Sequence, residues 1–118
     1  MENYEVLSPV GDLKTFYTAI KSGANAVYFG LPKFNARMRA ENINLDNLEE
    51  VVNFAHLKGV KCYITLNTIL TNKEILEAIE LVGNCLKYGV DAFIVQDLGL
   101  ATALKTTFPN IVLHGIFL

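Results

Sequence analysis

Residues 86–97 read LKYGVDAFIVQD, and this stretch decides the fold because a glycine separates the end of a helical pattern from a continuous apolar strand. The same arrangement occurs in IKSGANAVYFG at residues 20–30 and in HLKGVKCYITLN at residues 56–67. A lysine lies one or two residues before each glycine, which suits a helix C-terminus, where cations stabilise the helix dipole and glycine adopts the left-handed cap. The glycines recur at intervals of roughly 30 residues or more, enough for one βαβ unit. The chain is therefore predicted to be a βα repeat.

Five strands and four helices are predicted around these three segments. Several strands are almost wholly apolar, as expected of parallel strands that are covered on both faces. Between the strands, apolar residues recur at helical spacing after residues that favour the N-terminal cap. The predicted strands are Tyr4–Leu7, Ala26–Phe29, Lys61–Leu66, Ala92–Val95 and Ile111–Leu113, and the predicted helices begin near Asp12, Asn44, Thr71 and Leu98.

Two α/β architectures accommodate this order of elements. The first is the N-terminal half of a TIM-type (β/α)8 barrel, which needs about 250 residues when complete. The second is a five-stranded flavodoxin-like doubly wound sheet, which is complete at about this length. Periodicity does not separate them. A phospho-receiver of the second type needs clustered carboxylates at its strand ends to hold magnesium, and Ser8 and Asn67 stand there instead. We therefore expect residues 1–118 to form a single partial domain, half of a barrel.

Composition and charge bound the function. The chain is 52% hydrophobic and 19% charged, with a net charge of −2, so its charge does not support nucleic-acid binding by this segment alone. No signal-peptide pattern occurs and no apolar run reaches about 18 residues, so a cytoplasmic protein without membrane partners is expected. Cys62 and Cys85 lack metal-ligand spacing and are predicted to be buried, reduced thiols. No cofactor or metal is expected in this segment.

Three candidate site residues follow strands, where α/β proteins place their working groups. Asp97 follows the fourth strand and can act as a general base or cap the next helix. His114, at the end of the fifth strand, is the one histidine placed for acid–base chemistry at this edge, since His56 lies on a predicted helix away from it. Asn67 can hydrogen-bond a substrate or hold the turn after the third strand.

A long loop after the second strand carries Arg37 and Arg39. Loops of about a dozen residues exceed the usual connection and are often functional, and the planar guanidinium matches carboxylate or phosphate. The alternative is that both arginines are solvated, or that one pairs with a neighbour such as Glu41.

Five motifs in order resemble the collagenase-like peptidases, peptidase family U-thirty-two. Any one of them is weak alone, but their order and spacing are specific, and together they cover nearly the whole chain. They are residues 6–11 (VLSPVG), 23–30 (GANAVYFG), 34–40 (FNARMRA), 59–67 (GVKCYITLN) and 89–97 (GVDAFIVQD).

The resemblance implies a barrel-like catalytic domain at the N-terminus of a longer protein, and it favours an anion-binding role for at least one of the two arginines. Activities in the family range from proteolysis to oxygen-independent hydroxylation of RNA bases or quinone precursors. The hydroxylating members carry an iron-sulfur cluster on four cysteines that lie downstream of the region matched here. The family also has polar residues after the last histidine, whereas this chain ends Gly115-Ile116-Phe117-Leu118. That ending suggests a truncated, interrupted or divergent chain.

Two classes of function follow. The chain is expected to be the N-terminal fragment of a collagenase-like peptidase, incomplete and inactive alone, or else of a hydroxylation protein of the same family. The other class is a noncatalytic module that binds an anion through the arginine loop. The expected partners are a peptide or other anionic substrate, and either the missing C-terminal part of the polypeptide or a second copy of the chain.

Overall fold

The computed structural model describes residues 6–31, 42–66 and 72–115. Five parallel strands alternate with four helices, which confirms the predicted βα repeat. No helix in these three ranges is long and apolar enough to cross a membrane. The strands are β1 (Leu7–Pro9), β2 (Ala26–Phe29), β3 (Lys61–Leu66), β4 (Ala92–Val95) and β5 (Leu113–His114), and the helices are α1 (Leu13–Lys21), α2 (Leu48–Leu57), α3 (Asn72–Lys87) and α4 (Leu98–Thr107).

The strands are hydrogen-bonded in the order β1-β2-β3-β4-β5. A flavodoxin-like sheet has the order 2-1-3-4-5, with its first strand inside the sheet, whereas here β1 is at one end. Sequential order is what a barrel requires, because each right-handed βαβ crossover then adds its strand on the same side of the previous one. The strand order therefore favours the barrel architecture over the doubly wound alternative.

The two faces of the sheet differ in what covers them. Buried residues of all four helices pack with the first face in one large core, which contains Phe16, Val52, Cys85 and Leu104. A separate small cluster, formed by Ala26, Tyr63 and Ala92 with Tyr28 and Ile94 packed against it, lies on the other side of the sheet, which we call the second face. No residue of a described helix belongs to this second cluster. The second face corresponds to the side that points inward in a barrel.

The glycine junctions have the predicted geometry. Gly23, Gly59 and Gly89 have φ values of +92°, +73° and +93°, a conformation that glycine adopts without steric cost. A methyl group at Gly23 would meet no atom within 4 Å, whereas one at Gly89 would lie 3.3 Å from Cγ1 of the fully buried Val52.

This difference gives a matched pair of variants. Gly23→Ala is expected to lower the free energy of unfolding by about 1 to 2 kcal/mol through backbone strain. Gly89→Ala should lower it further, because strain and crowding against Val52 add. Urea unfolding of both variants at one protein concentration measures the difference. Equal decreases in the free energy of unfolding would show that Val52 moves aside without destabilising the core.

Side-chain bonds fix the amino ends of the strands. Asn25 Oδ1 accepts a hydrogen bond of 2.8 Å from the Val6 backbone N–H, beside β1. Asp91 Oδ2 accepts a bond of 2.7 Å from the Cys62 N–H in β3. Asn25 and Asp91 both lie two residues after a junction glycine. The repeated pattern therefore includes a side-chain oxygen that accepts a backbone N–H at the amino end of the neighbouring strand.

Some predicted boundaries are wrong. Asn44 does not cap a helix: its Oδ1 accepts bonds from Asp46 N and Asn47 N in the turn before α2, and the helix begins at Leu48. Leu45, which a helix beginning near Asn44 would contain, is exposed and lies in this turn. Strand β5 is Leu113–His114 rather than residues 111–113, although Ile111 is buried.

The predicted cap Thr71 lies outside the described residues, whereas Asp12 caps α1 as predicted and accepts a bond of 2.7 Å from Thr15 N.

Strands β1 and β5 are the edges of the sheet formed by the described residues. Unpaired edges and an apolar face without a covering layer favour association with another chain. The 118-residue chain expressed alone is therefore expected to form dimers or larger species, which light scattering measures. A monodisperse monomer with a cooperative thermal transition would contradict this expectation.

Candidate functional site at the carboxyl edge of the sheet

The parallel strands end along one edge, which we call the carboxyl edge. Polar residues lie at or after the ends of three strands there. Thr65 is in the last part of β3, Gln96 and Asp97 follow β4, and His114 ends β5. Of these, Gln96 and His114 are exposed, whereas Thr65 and Asp97 are half-buried. This edge can therefore present hydroxyl, amide, carboxylate and imidazole groups to a ligand.

The strand register places two of these positions, Thr65 and His114, in one row on the second face, with Ile94 between them. Thr65 pairs with Ile94, and Ile94 pairs with His114. In-register residues of parallel strands point to the same side of a sheet, and Ile94 packs against the second-face cluster. Gly30 lies beside this row, since a methyl group there would be 3.3 Å from Thr65 Oγ1. Glycine at this position leaves room next to the hydroxyl.

An aromatic pair joins His114 of this row to Tyr63 in the row below it. The rings of Tyr63 and His114 have centroids 5.3 Å apart with an interplanar angle of 32°, within the range of favourable ring contacts. Because β4 lies between the two strands that carry them, the rings meet across β4. There the small side chain of Ala92, in register with Tyr63 and 2% exposed, leaves room for the phenol ring.

Asp97 is used as a helix cap. One of its carboxylate oxygens, Oδ1, accepts a bond of 2.9 Å from the Leu100 backbone N–H, and its backbone is extended, as at an N-terminal cap. The capping role that the sequence left open is therefore confirmed. A catalytic role for Asp97 stays a prediction.

Two substitutions separate these roles. Asp97→Asn keeps a capping oxygen but removes a general base, whereas Asp97→Ala removes both. Asp97→Ala is expected to lower the free energy of unfolding by about 1 kcal/mol, and Asp97→Asn to leave it nearly unchanged. Urea denaturation measures both values. A loss of activity in the Asn variant without loss of stability would show that the carboxylate has a second role.

The structure brings two of the five predicted site residues, Asp97 and His114, to the same edge of the sheet. The other three, Arg37, Arg39 and Asn67, lie outside the described residues. Sequence reasoning missed Tyr63, which it read only as a strand residue. The available signal was position. Tyr63 lies two residues before Thr65, and residues i and i+2 of a strand point to the same face of the sheet.

The second histidine lies at the opposite end of the sheet. His56 Nε2 is 2.8 Å from Asp91 Oδ2, on the side where the strands begin. This placement agrees with the prediction that His56 lies away from the candidate site.

The cysteines are unsuited to cofactor binding. Cys62 and Cys85 are fully buried in the core formed with the helices. Burial raises the pKa of each thiol from 9.0 to about 12, and in Cys62 the negative charge of Asp91 adds to the effect. Within residues 6–31, 42–66 and 72–115, no three His, Cys, Asp or Glu side chains are grouped so as to hold a metal ion. Protonated thiols under a helical layer do not fit an iron-sulfur cluster, so we assign these residues no step that involves one.

Comparison with known proteins identifies the family. The model for "Peptidase family U32" matches residues 11–116, which is nearly the whole chain and includes every strand end described above except that of β1. The chain belongs to Peptidase family U32. The predicted family resemblance is confirmed.

The curated relatives of this family member have two kinds of name. The "23S rRNA 5-hydroxycytidine C2501 synthase" of Escherichia coli strain K12 is 46% identical over 111 residues, covering 94% of this chain and 16% of the relative. The "tRNA hydroxylation protein P" of the same strain is 36% identical, covering 93% of this chain and 24% of the relative. The "Collagenase" of Porphyromonas gingivalis is 33% identical, covering 82% and 24%. The chain thus spans a quarter or less of each of these three proteins.

Proposed function

We propose that this chain is the first part of a barrel-like domain in a protein that hydroxylates RNA bases. The observation that carries the proposal is the 46% identity to the rRNA 5-hydroxycytidine synthase over 94% of the chain, compared with 33% to the collagenase over 82%. These identities favour RNA hydroxylation, the alternative predicted from the sequence, over the peptidase function that was its main prediction.

The charge of the chain restricts what this part of the protein does. Polyanion binding requires clustered Lys and Arg, but the segment has a net charge of −2. The matched region is 16% of the rRNA synthase, so other regions of a longer protein are available to hold the RNA backbone. In this proposal the present segment contributes part of the barrel lining, where the reacting base is held.

A peptidase remains the second candidate, because the family model carries that description and a collagenase is among the relatives. The described residues give it less support. Ser8 lies on the edge strand directly before Pro9, outside the sharp strand-to-helix turn that projects an activated serine. The pKa of about 12 of both thiols keeps them protonated, whereas a nucleophilic cysteine must be a thiolate.

Deletion of the gene in its own organism tests the proposal. Nucleosides from purified rRNA and tRNA are analysed by mass spectrometry in the parent, the deletion strain and a complemented strain. We expect one hydroxylated pyrimidine to disappear on deletion and return on complementation. Unchanged nucleosides in both RNA classes would reject RNA hydroxylation, and loss of peptide cleavage by the deletion strain would then support the peptidase.

A segment exchange sharpens the assignment. The chain replaces the matching 111 residues of the E. coli rRNA synthase in a strain that lacks that synthase. Restored 5-hydroxycytidine in 23S rRNA would indicate that the segment serves that reaction. A matched exchange with the segment of the E. coli tRNA hydroxylation protein controls for the tolerance of the host protein.

A further inference from the structure

We infer that the His114 imidazole is a stacking surface for the pyrimidine base of an RNA substrate and that Tyr63 positions it. This inference rests on the proposed function and assigns His114 a role other than the acid–base chemistry predicted from sequence. The occupant is a single base displaced from its RNA stack, because an enzyme that modifies a base must take it out of the helix to reach it.

The geometry of the ring pair supports this assignment. Tyr63 is 6% exposed and belongs to the second-face cluster, whereas His114 is exposed. The centroids are 5.3 Å apart and the planes are inclined by 32°, so the exposed imidazole packs against the buried phenol ring. Proteins that recognise unpaired bases commonly stack them on aromatic or histidine rings. The buried tyrosine holds the imidazole in one orientation before the base arrives, which reduces the entropy lost on binding.

The surroundings of the pair suit a base more than a peptide. Thr65 lies in the same row as His114, across two strand spacings of roughly 10 Å in total. Its hydroxyl can donate or accept a hydrogen bond at the edge of a stacked base. Ile94 lies between them and supplies an apolar floor. No carboxylate or ammonium group is in this row, so it offers recognition of a neutral, flat ligand.

The test measures RNA binding and modification by the full-length protein. The probe is a short single-stranded RNA that carries the target pyrimidine, with affinity measured by fluorescence anisotropy. His114→Ala is expected to raise Kd at least tenfold, in line with the cost of losing one stacked base. His114→Phe keeps a stacking ring without an ionisable nitrogen and should bind within threefold of the natural protein. His56→Ala, a matched change of the other histidine at the opposite end of the sheet, should leave Kd unchanged.

Tyr63 is tested by rescue with the conservative variant. Tyr63→Phe keeps the ring and should bind within threefold, whereas Tyr63→Leu should raise Kd at least fivefold, with a circular dichroism spectrum like that of the natural protein. If Tyr63→Leu does not fold, the exposed His114 carries the test alone.

The outcomes separate the two proposals. If the natural protein hydroxylates no RNA in the cell, the proposed function fails, and the base-stacking role fails with it. If the natural protein modifies RNA while His114→Ala binds and modifies RNA normally, only the stacking role fails. If His114→Ala binds RNA within threefold of the natural protein while both His114→Ala and His114→Phe are inactive, His114 is an acid–base residue and the stacking role is again rejected.

Discussion

Iodoacetamide at pH 8 is expected to alkylate Cys62 and Cys85 about a thousandfold more slowly in the folded chain than in urea. The thiolate is the reacting species, and burial raises the pKa of both thiols from 9.0 to about 12. A shift of that size lowers the thiolate fraction at pH 8 by about three powers of ten. Both side chains are also fully buried, which slows access of the reagent further.

Mass spectrometry of timed samples measures this rate, and an internal standard makes it interpretable. Asn53→Cys introduces a thiol at an exposed position on α2, where alkylation should proceed at the rate of a free peptide. Folded-state alkylation of Cys62 or Cys85 at a rate comparable to that of the added cysteine would contradict the burial described above.

The same shift has a consequence for alkaline stability. The folded chain keeps the two thiols protonated up to a pKa of about 12, whereas the unfolded chain releases those protons near 9. Between these values the unfolded state binds fewer protons, so the free energy of unfolding decreases as pH rises. The thiols contribute their full stabilisation below about pH 9 and lose it progressively toward pH 12.

The central strands were predictable because their signal is local. The apolar runs after the three glycines fix β2, β3 and β4 at the residues observed. Such runs are read correctly when the strand is buried on both faces. The helix C-termini were equally readable, since a lysine followed by glycine reflects the dipole and the left-handed cap of one turn.

The edges of the sheet were harder to predict because tertiary contacts set them. The first strand was predicted at residues 4–7, of which 4 and 5 lie outside the described residues, whereas β1 is Leu7–Pro9. Its register with β2 is aligned by the bond between Asn25 and the Val6 N–H, a long-range contact. Pro9 is allowed in β1 because an edge strand can spare one N–H group. No local pattern carries this information.

The candidate site was predictable only in part. The rule that working groups follow parallel strands found His114 and Asp97, but it could not find a ring pair that joins two strands across a third. Tyr63 and His114 are 51 positions apart in the sequence and meet only because β3 and β5 flank β4. A pairing of this kind depends on strand order, which periodicity left open between two architectures.

Asp91→Ala is expected to lower the free energy of unfolding by about 2 to 3 kcal/mol. Asp91 Oδ2 accepts from the Cys62 N–H at 2.7 Å and contacts His56 Nε2 at 2.8 Å. Its removal leaves the N–H of a residue that is 0% exposed without this acceptor, and an unsatisfied buried donor costs about 1 to 3 kcal/mol. The contact with His56 adds less, because the histidine side chain is 41% exposed and water screens the pair.

Two control variants divide this effect into its parts. Asp91→Asn keeps an oxygen for the Cys62 N–H and loses the charge, so it should cost less than half as much as Asp91→Ala. His56→Ala removes only the screened contact and should cost less than about 1 kcal/mol. Urea unfolding at one protein concentration gives all three values. If His56→Ala is as destabilising as Asp91→Ala, the histidine contact and not the backbone bond holds β3 and β4 together at their amino ends. The equivalent bond accepted by Asn25 has no histidine partner among the described contacts. The bond from a backbone N–H is therefore the feature that the Gly23 and Gly89 junctions share.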